Sequence, residues 1–144
     1  MYGIRKLRAF PAAIAGATAI EFAILCPLYL LLLMGMMAYG IYFGASHSVQ
    51  QISADTARAA VAGVNAADRE ALANGFVARN AGQYLLIDPR KLTVEVGDSA
   101  ADASQFDVAV SYDASELPIW NLFYGIAMPS KTIERHSTIR IGGI

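Results

Sequence analysis

One segment of this sequence carries no formal charge over an unusual length. From Phe22 to Ala54 every side chain is uncharged, His47 being neutral at pH 7, and the most apolar part, Phe22–Ala45, holds 24 residues. As a helix that part would be about 36 Å long at 1.5 Å per residue, against a hydrocarbon core of about 30 Å. Its Leu, Ile and Phe side chains favour membrane insertion by roughly 3 to 6 kcal/mol. The sequence therefore predicts a transmembrane helix.

A buried core helix and a secretory signal both fit this segment less well. A core helix needs protein on all sides, and only 90 residues follow Ala54. A cleaved secretory signal has an apolar stretch of roughly 7–15 residues followed by a small-residue cleavage site. Here the apolar stretch is longer, and the small-residue tract Ala12–Ala19 precedes it.

The charges flanking the apolar segment predict its orientation. The part before Glu21 carries three positive charges, on Arg5, Lys6 and Arg8, whereas Asp55–Ile144 carries 8 basic and 11 acidic residues. By the positive-inside rule the N-terminus is cytoplasmic and the C-terminal part is exported.

Composition excludes several classes of protein. The chain has 144 residues, 56% of them hydrophobic and 16% charged, against about 25% charged in an ordinary soluble domain. A net charge of −1 provides no broad positive field, so no nucleic-acid partner is expected. Cys26 is the single cysteine, which excludes a disulfide scaffold and a cysteine zinc site. No cofactor is expected.

The first part of the exported region is predicted to be helical. Val49, Ile52 and Thr56 continue to Ala59, Ala60 and Gly63 as one helical face, so the membrane helix should extend through residues 46–63. This face of mainly small side chains packs either on the chain's own domain or on another subunit. A second helix is expected after Asn65, a good N-cap, with Leu72, Phe76 and Val77 on its buried side and its end near Asn80 and Gly82.

The later part of the chain is predicted to form strands. Leu92–Val96 and Phe106–Tyr112 alternate with period two, and Ser137–Ile141 resembles a third strand. We therefore expect an α+β fold: a single transmembrane helix that extends into a long N-terminal helix, followed by a small C-terminal domain with a three-stranded antiparallel sheet. The predicted regions are a basic leader at 1–16, a transmembrane helix at 17–45, a helical region at 46–82 and a β-rich domain at 83–144.

The apolar stretch Leu117–Met128 lies between two prolines and predicts a helical turn or loop. Its aromatic residues, Trp120 and Phe123 among them, exceed what a small surface loop needs. They form either part of the core or an exposed contact surface.

Candidates for chemistry are weak. His47 and His136 lack the spacing of a metal site on one helix, and Asp98 and Asp102 lack that of a calcium loop. The sequence contains no nucleophile elbow, phosphate loop or dinucleotide fingerprint. Because no catalytic motif is present, we expect no enzymatic activity. A membrane-tethered enzyme would need a convergent polar pocket in the exported domain.

Glu21 stands where the apolar run begins. An ionised carboxylate in hydrocarbon costs several kcal/mol unless it reaches the interface or finds a cation. Cleavage between Gly16 and Ala17 would create an amine on Ala17 and leave Glu21 as the fifth residue. The amine of a neighbouring subunit could then neutralise Glu21 and set the axial register between helices.

These residues resemble a known family. The basic leader, Gly16, the Glu21-Phe22 pair and the apolar helix look like the cleavage region of type IV prepilins and pseudopilins. The segment Ala19-Ile-Glu-Phe-Ala-Ile-Leu-Cys-Pro27 resembles the signature of TadE-like proteins, minor pilins of the tight-adherence (Flp) pilus system. Residues 133–140 resemble the closing strand of that family.

The resemblance implies a mechanism at particular residues. A membrane prepilin peptidase would cut between Gly16 and Ala17. Pro27 removes a backbone donor and favours a kink or local melting, which could help extraction from the membrane. Gly40 and Gly44 form a small-xxx-small pair that suits close helix packing.

The resemblance implies a minor pilin that crosses the bacterial inner membrane once. Its N-terminus is expected in the cytoplasm and its domain in the periplasm, and incorporation in a pilus is one expected fate. Its expected partners are prepilin peptidase, other Flp pilus subunits, Tad inner-membrane assembly proteins and the lipid bilayer. Its expected role is pilus assembly for adherence and biofilm formation. The alternative is an uncleaved, membrane-anchored assembly factor of the Tad secretion apparatus.

Overall fold

The computed structural model describes residues 12–121 and 127–141. The leader charges on Arg5, Lys6 and Arg8 lie outside the described residues, and so does Phe123. The chain divides between Met37 and Ala38 into two compact units, which are described separately below.

The described residues form two α-helices and two short 3₁₀ helices, followed by three strands. Helix α1 spans Ala12–Ala60 and helix α2 spans Ala66–Asn80. Strands β1 (Leu92–Asp98), β2 (Gln105–Asp113) and β3 (Thr132–Arg140) form one antiparallel sheet in the order β1-β2-β3. The α+β fold with a three-stranded antiparallel sheet is therefore confirmed.

The start of α2 follows the predicted capping pattern. The Asn65 side-chain oxygen accepts a hydrogen bond from the backbone N–H of Asp68 at 2.8 Å. This bond satisfies one of the free donors of the first helical turn, and Asp68 also places a negative charge at the positive end of the helix dipole.

The small-residue face of α1 packs on the chain's own domain. In the second unit α1 buries one stripe, which includes Val49, Ile52 and Thr56, all with 0% exposure. The Ser53 hydroxyl lies 3.2 Å from the carbonyl oxygen of Val108 on β2 and 3.0 Å from the hydroxyl of Ser137 on β3. Of the two alternatives left open by the sequence, these contacts favour the intramolecular one.

The sheet contributes alternate residues to the same core. The inward side chains of β2 are at most 4% exposed, and the buried Ile133 of β3 joins them. The inward residues of β2 are Phe106, Val108, Val110 and Tyr112. Period-two alternation in β2 thus reports correctly which face is buried.

Two predictions about these elements are wrong in detail. Leu72 of α2 is 37% exposed, whereas Val77 is buried and Phe76 packs partly buried against the core, as predicted, and Arg69 and Ala73 complete the buried side. The Arg69 guanidinium stacks 5.3 Å from the centre of the Phe106 ring and lies 2.8 Å from a carboxylate oxygen of Asp98. An aromatic face and an ion pair make it possible to bury this charge, which leaves Leu72 turned outward.

The third strand begins at Thr132 rather than at Ser137, where the sequence pattern placed its start, and it covers residues 133–140, which resemble the closing strand of the family. Its partner β2 is nine residues long, and every β2 residue from Gln105 to Asp113 has a register partner on β3. Pairing with a buried central strand therefore extends β3 through the charged residues before Ser137.

The described part of the apolar stretch 117–128 belongs largely to the core. Leu117 is 8% exposed and Ile119 is fully buried. The half-buried Trp120 donates its indole N–H to the carbonyl of Ala114 at 2.6 Å. For Trp120 a place in the core is therefore favoured over an exposed contact surface.

Candidate membrane and packing helix

The first unit exposes a continuous apolar helix surface. Among the described residues, one helix, Gly16–Ala60, is long and apolar enough to cross a membrane. From Ile20 to Met37 its large apolar side chains are 40% to 69% exposed. A patch of this extent is much larger than a soluble monomer leaves in water.

The residues predicted to take part in processing lie at the start of this surface. Gly16, Ala17 and Glu21 are helical and exposed, and Phe22 is 69% exposed. A Cβ atom added at Gly16 would meet nothing within 4 Å. Packing against the described residues therefore does not require a glycine at position 16.

Pro27 lies inside α1, and the α-helix continues through it. Since proline has no backbone N–H, the Ala23 carbonyl lacks the donor that the fourth following residue normally supplies. A shallow apolar groove of about 360 Å³ lies on the same part of the helix. The groove is lined by Phe22, Leu25, Cys26, Leu28, Tyr29 and Leu32.

The two predicted packing glycines have different surroundings. A Cβ at Gly40 would meet nothing within 4 Å, whereas one at Gly44 would lie 3.2 Å from the Cδ1 atom of Leu86. Leu86 has a positive φ of 63°, which is uncommon for a residue with a branched side chain. Gly44 thus fits against the chain's own loop, while Gly40 remains open for an external contact.

The aromatic residues where the second unit begins have polar and apolar contacts. The Tyr39 hydroxyl donates to the Ala127 carbonyl at 2.8 Å, and Tyr42 packs against the core. Phe43 remains 57% exposed, with its ring centre 6.2 Å from that of Tyr39 and 6.3 Å from that of Tyr42. Tyr39 and Tyr42 combine an apolar ring with a polar hydroxyl, and residues of this kind suit a membrane interface.

The polar residues considered for chemistry are separately engaged. Asp98 pairs with Arg69, while Asp102 accepts hydrogen bonds from the backbone N–H and the hydroxyl of Ser104. His136 lies 3.3 Å from Glu134 on the same strand. Within residues 12–121 and 127–141, no group of three or more His, Cys, Asp or Glu side chains could hold a metal ion.

A second groove, of about 410 Å³, lies between α1 and the end of α2 and is lined by hydroxyl, amide and apolar groups. One lining hydroxyl, that of Ser48, donates to the Leu85 carbonyl at 2.8 Å. The Tyr84 hydroxyl donates to Asp55 at 2.8 Å. Burial, then the hydrogen bond and the negative charge of Asp55, raise the pKa of Tyr84 to about 12.

The loop before β1 is held by a compact ion pair. The Arg90 guanidinium lies 2.8 Å from a carboxylate oxygen of Asp88, and the Asp88 side chain also accepts the Arg90 backbone N–H. These hydrogen bonds lower the pKa of Asp88 to about 2. Asp88 thereby caps the short 3₁₀ helix Pro89–Lys91, which leads into β1.

Comparison with known protein families finds a match that lies within the apolar helix α1. Residues 16–58 match the family model described as TadE-like protein. The chain carries a TadE-like segment. No curated protein and no solved structure matches the chain significantly.

The TadE-like segment starts at Gly16 and ends two residues before the end of α1. It contains Glu21, Phe22 and Pro27, together with both candidate packing glycines. The match confirms the family resemblance seen in the sequence and suggests involvement in the Tad/Flp pilus system. The apolar helix suggests a membrane anchor.

Proposed function

We propose that this protein is a membrane-anchored minor pilin (pseudopilin) that assembles with a Flp-type pilus. The observation that carries this proposal is the apolar surface that the TadE-like segment exposes from Ile20 to Met37. A bilayer covers such a surface before assembly, and neighbouring helices cover it in a filament. The small α+β domain remains available to other pilus subunits and to Tad assembly proteins.

Processing between Gly16 and Ala17 would prepare the helix for assembly. It removes the three leader charges and 16 of the 144 residues, leaving 128. The new Ala17 amine is a cation at the end of the helix, four residues before Glu21. When the amine of one subunit meets the carboxylate of the next, two charges that are costly in hydrocarbon are neutralised together.

The proposed location follows from the same segment. The protein crosses the bacterial inner membrane once, with its leader in the cytoplasm and its domain in the periplasm, because the three basic residues precede the span. We propose no catalytic activity.

The first experiment measures the mass of the full-length protein after extraction from membranes with detergent. We expect a chain that begins at Ala17 in wild-type cells and an intact leader in cells that carry Gly16→Leu. Gly35→Leu is the matched control, because Gly35 lies in the same helix beyond the cleavage region. An intact leader in pilus-producing wild-type cells would favour the uncleaved assembly factor instead.

The second experiment tests the charge at position 21. Glu21→Gln keeps the shape of the side chain but removes its charge, so the amine of a neighbour is left without a partner. Breaking one side of a buried ion pair costs about 3–5 kcal/mol, so pilus output should fall roughly tenfold or more while membrane insertion is retained. Unchanged output of pili would exclude pairing between Glu21 and an amine.

A further inference from the structure

Tyr29 places a hydroxyl group within the apolar span. It lies eight residues after Glu21, about 12 Å along the helix, and is 65% exposed. Among its neighbours in the groove, Phe22, Leu25, Leu28 and Leu32 have no side-chain acceptor, and the Cys26 thiol is only a weak one. Burying a hydroxyl in hydrocarbon without a partner costs on the order of 2–7 kcal/mol, so membrane insertion creates a demand for an acceptor.

The same turns of α1 contain a carbonyl in need of a donor. Pro27 cannot donate to the Ala23 carbonyl, and water, which would satisfy that oxygen in a soluble helix, is excluded from hydrocarbon. One face of the helix thus presents a donor without an acceptor, and another face presents an acceptor without its usual donor.

The donor and the acceptor lie at similar depth but on different sides of the helix. Helical side chains lean towards the N-terminus, which brings the Tyr29 hydroxyl back by about one turn, and the Ala23 carbonyl points towards Pro27. Pro27 and Tyr29 are two residues apart, so they project about 160° from each other around the axis. The hydroxyl therefore cannot reach the carbonyl of its own helix.

We propose that, in the membrane, the groove around Tyr29 receives the Ala23–Pro27 side of α1 from a second copy of this chain, with Tyr29 donating to the Ala23 carbonyl of that copy. Two parallel copies inserted to the same depth bring these groups together without an axial shift. A lipid acyl chain would fill the groove but has no acceptor at this depth. This inference rests on the membrane location within the proposed function, but not on cleavage or on Glu21.

The contact is head-to-tail. Since the donor and acceptor faces lie on different sides, each copy donates to one neighbour and accepts from another. Such an interface does not close into a two-fold dimer but builds rows of helices. A row of parallel anchors is an arrangement from which subunits could be passed to a filament.

The test uses full-length chains in lipid vesicles. Donor and acceptor fluorophores are attached at Ser99→Cys, in a Cys26→Ala background shared by all samples, and energy transfer reports association. Tyr29→Phe removes the donor, and Pro27→Ala restores an N–H to the Ala23 carbonyl. Each change should lower the association constant roughly 3- to 10-fold, within the range for hydrogen bonds between membrane helices. Tyr42→Phe, the same chemical change outside the groove, should associate like the shared background.

Mixing the two variants gives the decisive result. Tyr29→Phe still offers its carbonyl and Pro27→Ala still offers its hydroxyl, so one of each forms a single complete contact. With the two variants carrying different fluorophores, their pairwise association constant should lie within about twofold of that of the unmodified contact, although such pairs do not extend into rows. Tyr29→Phe with unchanged association, or a mixture as weak as each variant alone, would overturn the inference. Release of the chain from membranes by alkaline carbonate would instead refute the membrane location itself, so the two failures are distinguishable.

Discussion

Gly63 sets how closely the start of α2 approaches the end of α1. A Cβ atom at this position would lie 2.6 Å from the backbone nitrogen of Arg69 and 2.8 Å from its Cα. The sequence placed Gly63 on the helical face of small residues, but the tight approach is visible only in the folded chain. Arg69 is itself almost fully buried, so the backbone at this point has little freedom to move.

Gly63→Ala should therefore destabilise the domain by about 1–3 kcal/mol, as overpacking does in a tight core. Denaturant unfolding of the full chain in detergent measures the change. Gly97→Ala is the control, since its Cβ would meet nothing within 4 Å. Equal stability of the two variants would mean that α2 moves away at no cost.

Removing each of two buried hydroxyls of α1, those of Thr56 and Ser53, should change the stability of the domain differently. Among the described residues Thr56 Oγ1 has no hydrogen-bond partner, while the Ser53 hydroxyl has two close oxygens, on β2 and β3. Thr56→Val should be neutral or stabilising by up to about 1 kcal/mol, because it removes an unsatisfied polar atom. Ser53→Ala should destabilise by about 1 kcal/mol. Thermal unfolding of both variants checks the contrast, which the reverse order would contradict.

At the scale of elements, sequence periodicity predicts the bounds of those helices and strands that depend on local sequence. β2 alternates strictly, so its predicted ends lie within one residue of the observed ones, and Asn65 marks the start of α2. Alternation misses the first half of β3, which only the family resemblance at residues 133–140 indicated, because its charged residues form a strand by pairing with β2. The buried face of α2 depends on Arg69 meeting Phe106 and Asp98, contacts that no spacing within α2 encodes.

The hydrogen bond from Tyr84 to Asp55 links the segment after α2 to α1 and makes stability depend on alkaline pH. The folded state raises the pKa of Tyr84 from 10.0 to about 12, so its contribution is fully present below pH 10 and is lost as the pH rises towards 12. The stability advantage of the wild type over Tyr84→Phe should therefore shrink across this window. Denaturant midpoints at stepped pH values measure it.

Asp55→Asn is the control for this dependence. It keeps the Tyr84 ring but removes the negative charge that opposes ionisation, and should move the tyrosinate absorbance transition of Tyr84 to lower pH. A constant difference between wild type and Tyr84→Phe from pH 10 to 12 would show that the hydroxyl titrates alike in the folded and unfolded chain.

At the scale of the whole molecule, the sequence separates an apolar segment from a polar domain. The charges that flank the apolar segment predict its orientation in a membrane. The span and the family resemblance were predictable because the apolar run and the Ala19–Pro27 motif are continuous in sequence. The surroundings of Gly40 and Gly44 were not predictable from the sequence, because Leu86, which contacts the Gly44 position, lies 42 residues further along the chain.

The orientation is tested by cysteine labelling in a Cys26→Ala background. Ala101→Cys, on the exposed loop between β1 and β2, should react with a membrane-impermeant maleimide in spheroplasts, because the domain is expected outside the inner membrane. Lys6→Cys, combined with Gly16→Leu to retain the leader, should react only after lysis. Cys26 of the otherwise native chain should stay unlabelled until detergent is added, since it lies within the proposed span, which a membrane-impermeant reagent does not enter. The opposite pattern for positions 6 and 101 would invert the orientation and place the domain in the cytoplasm.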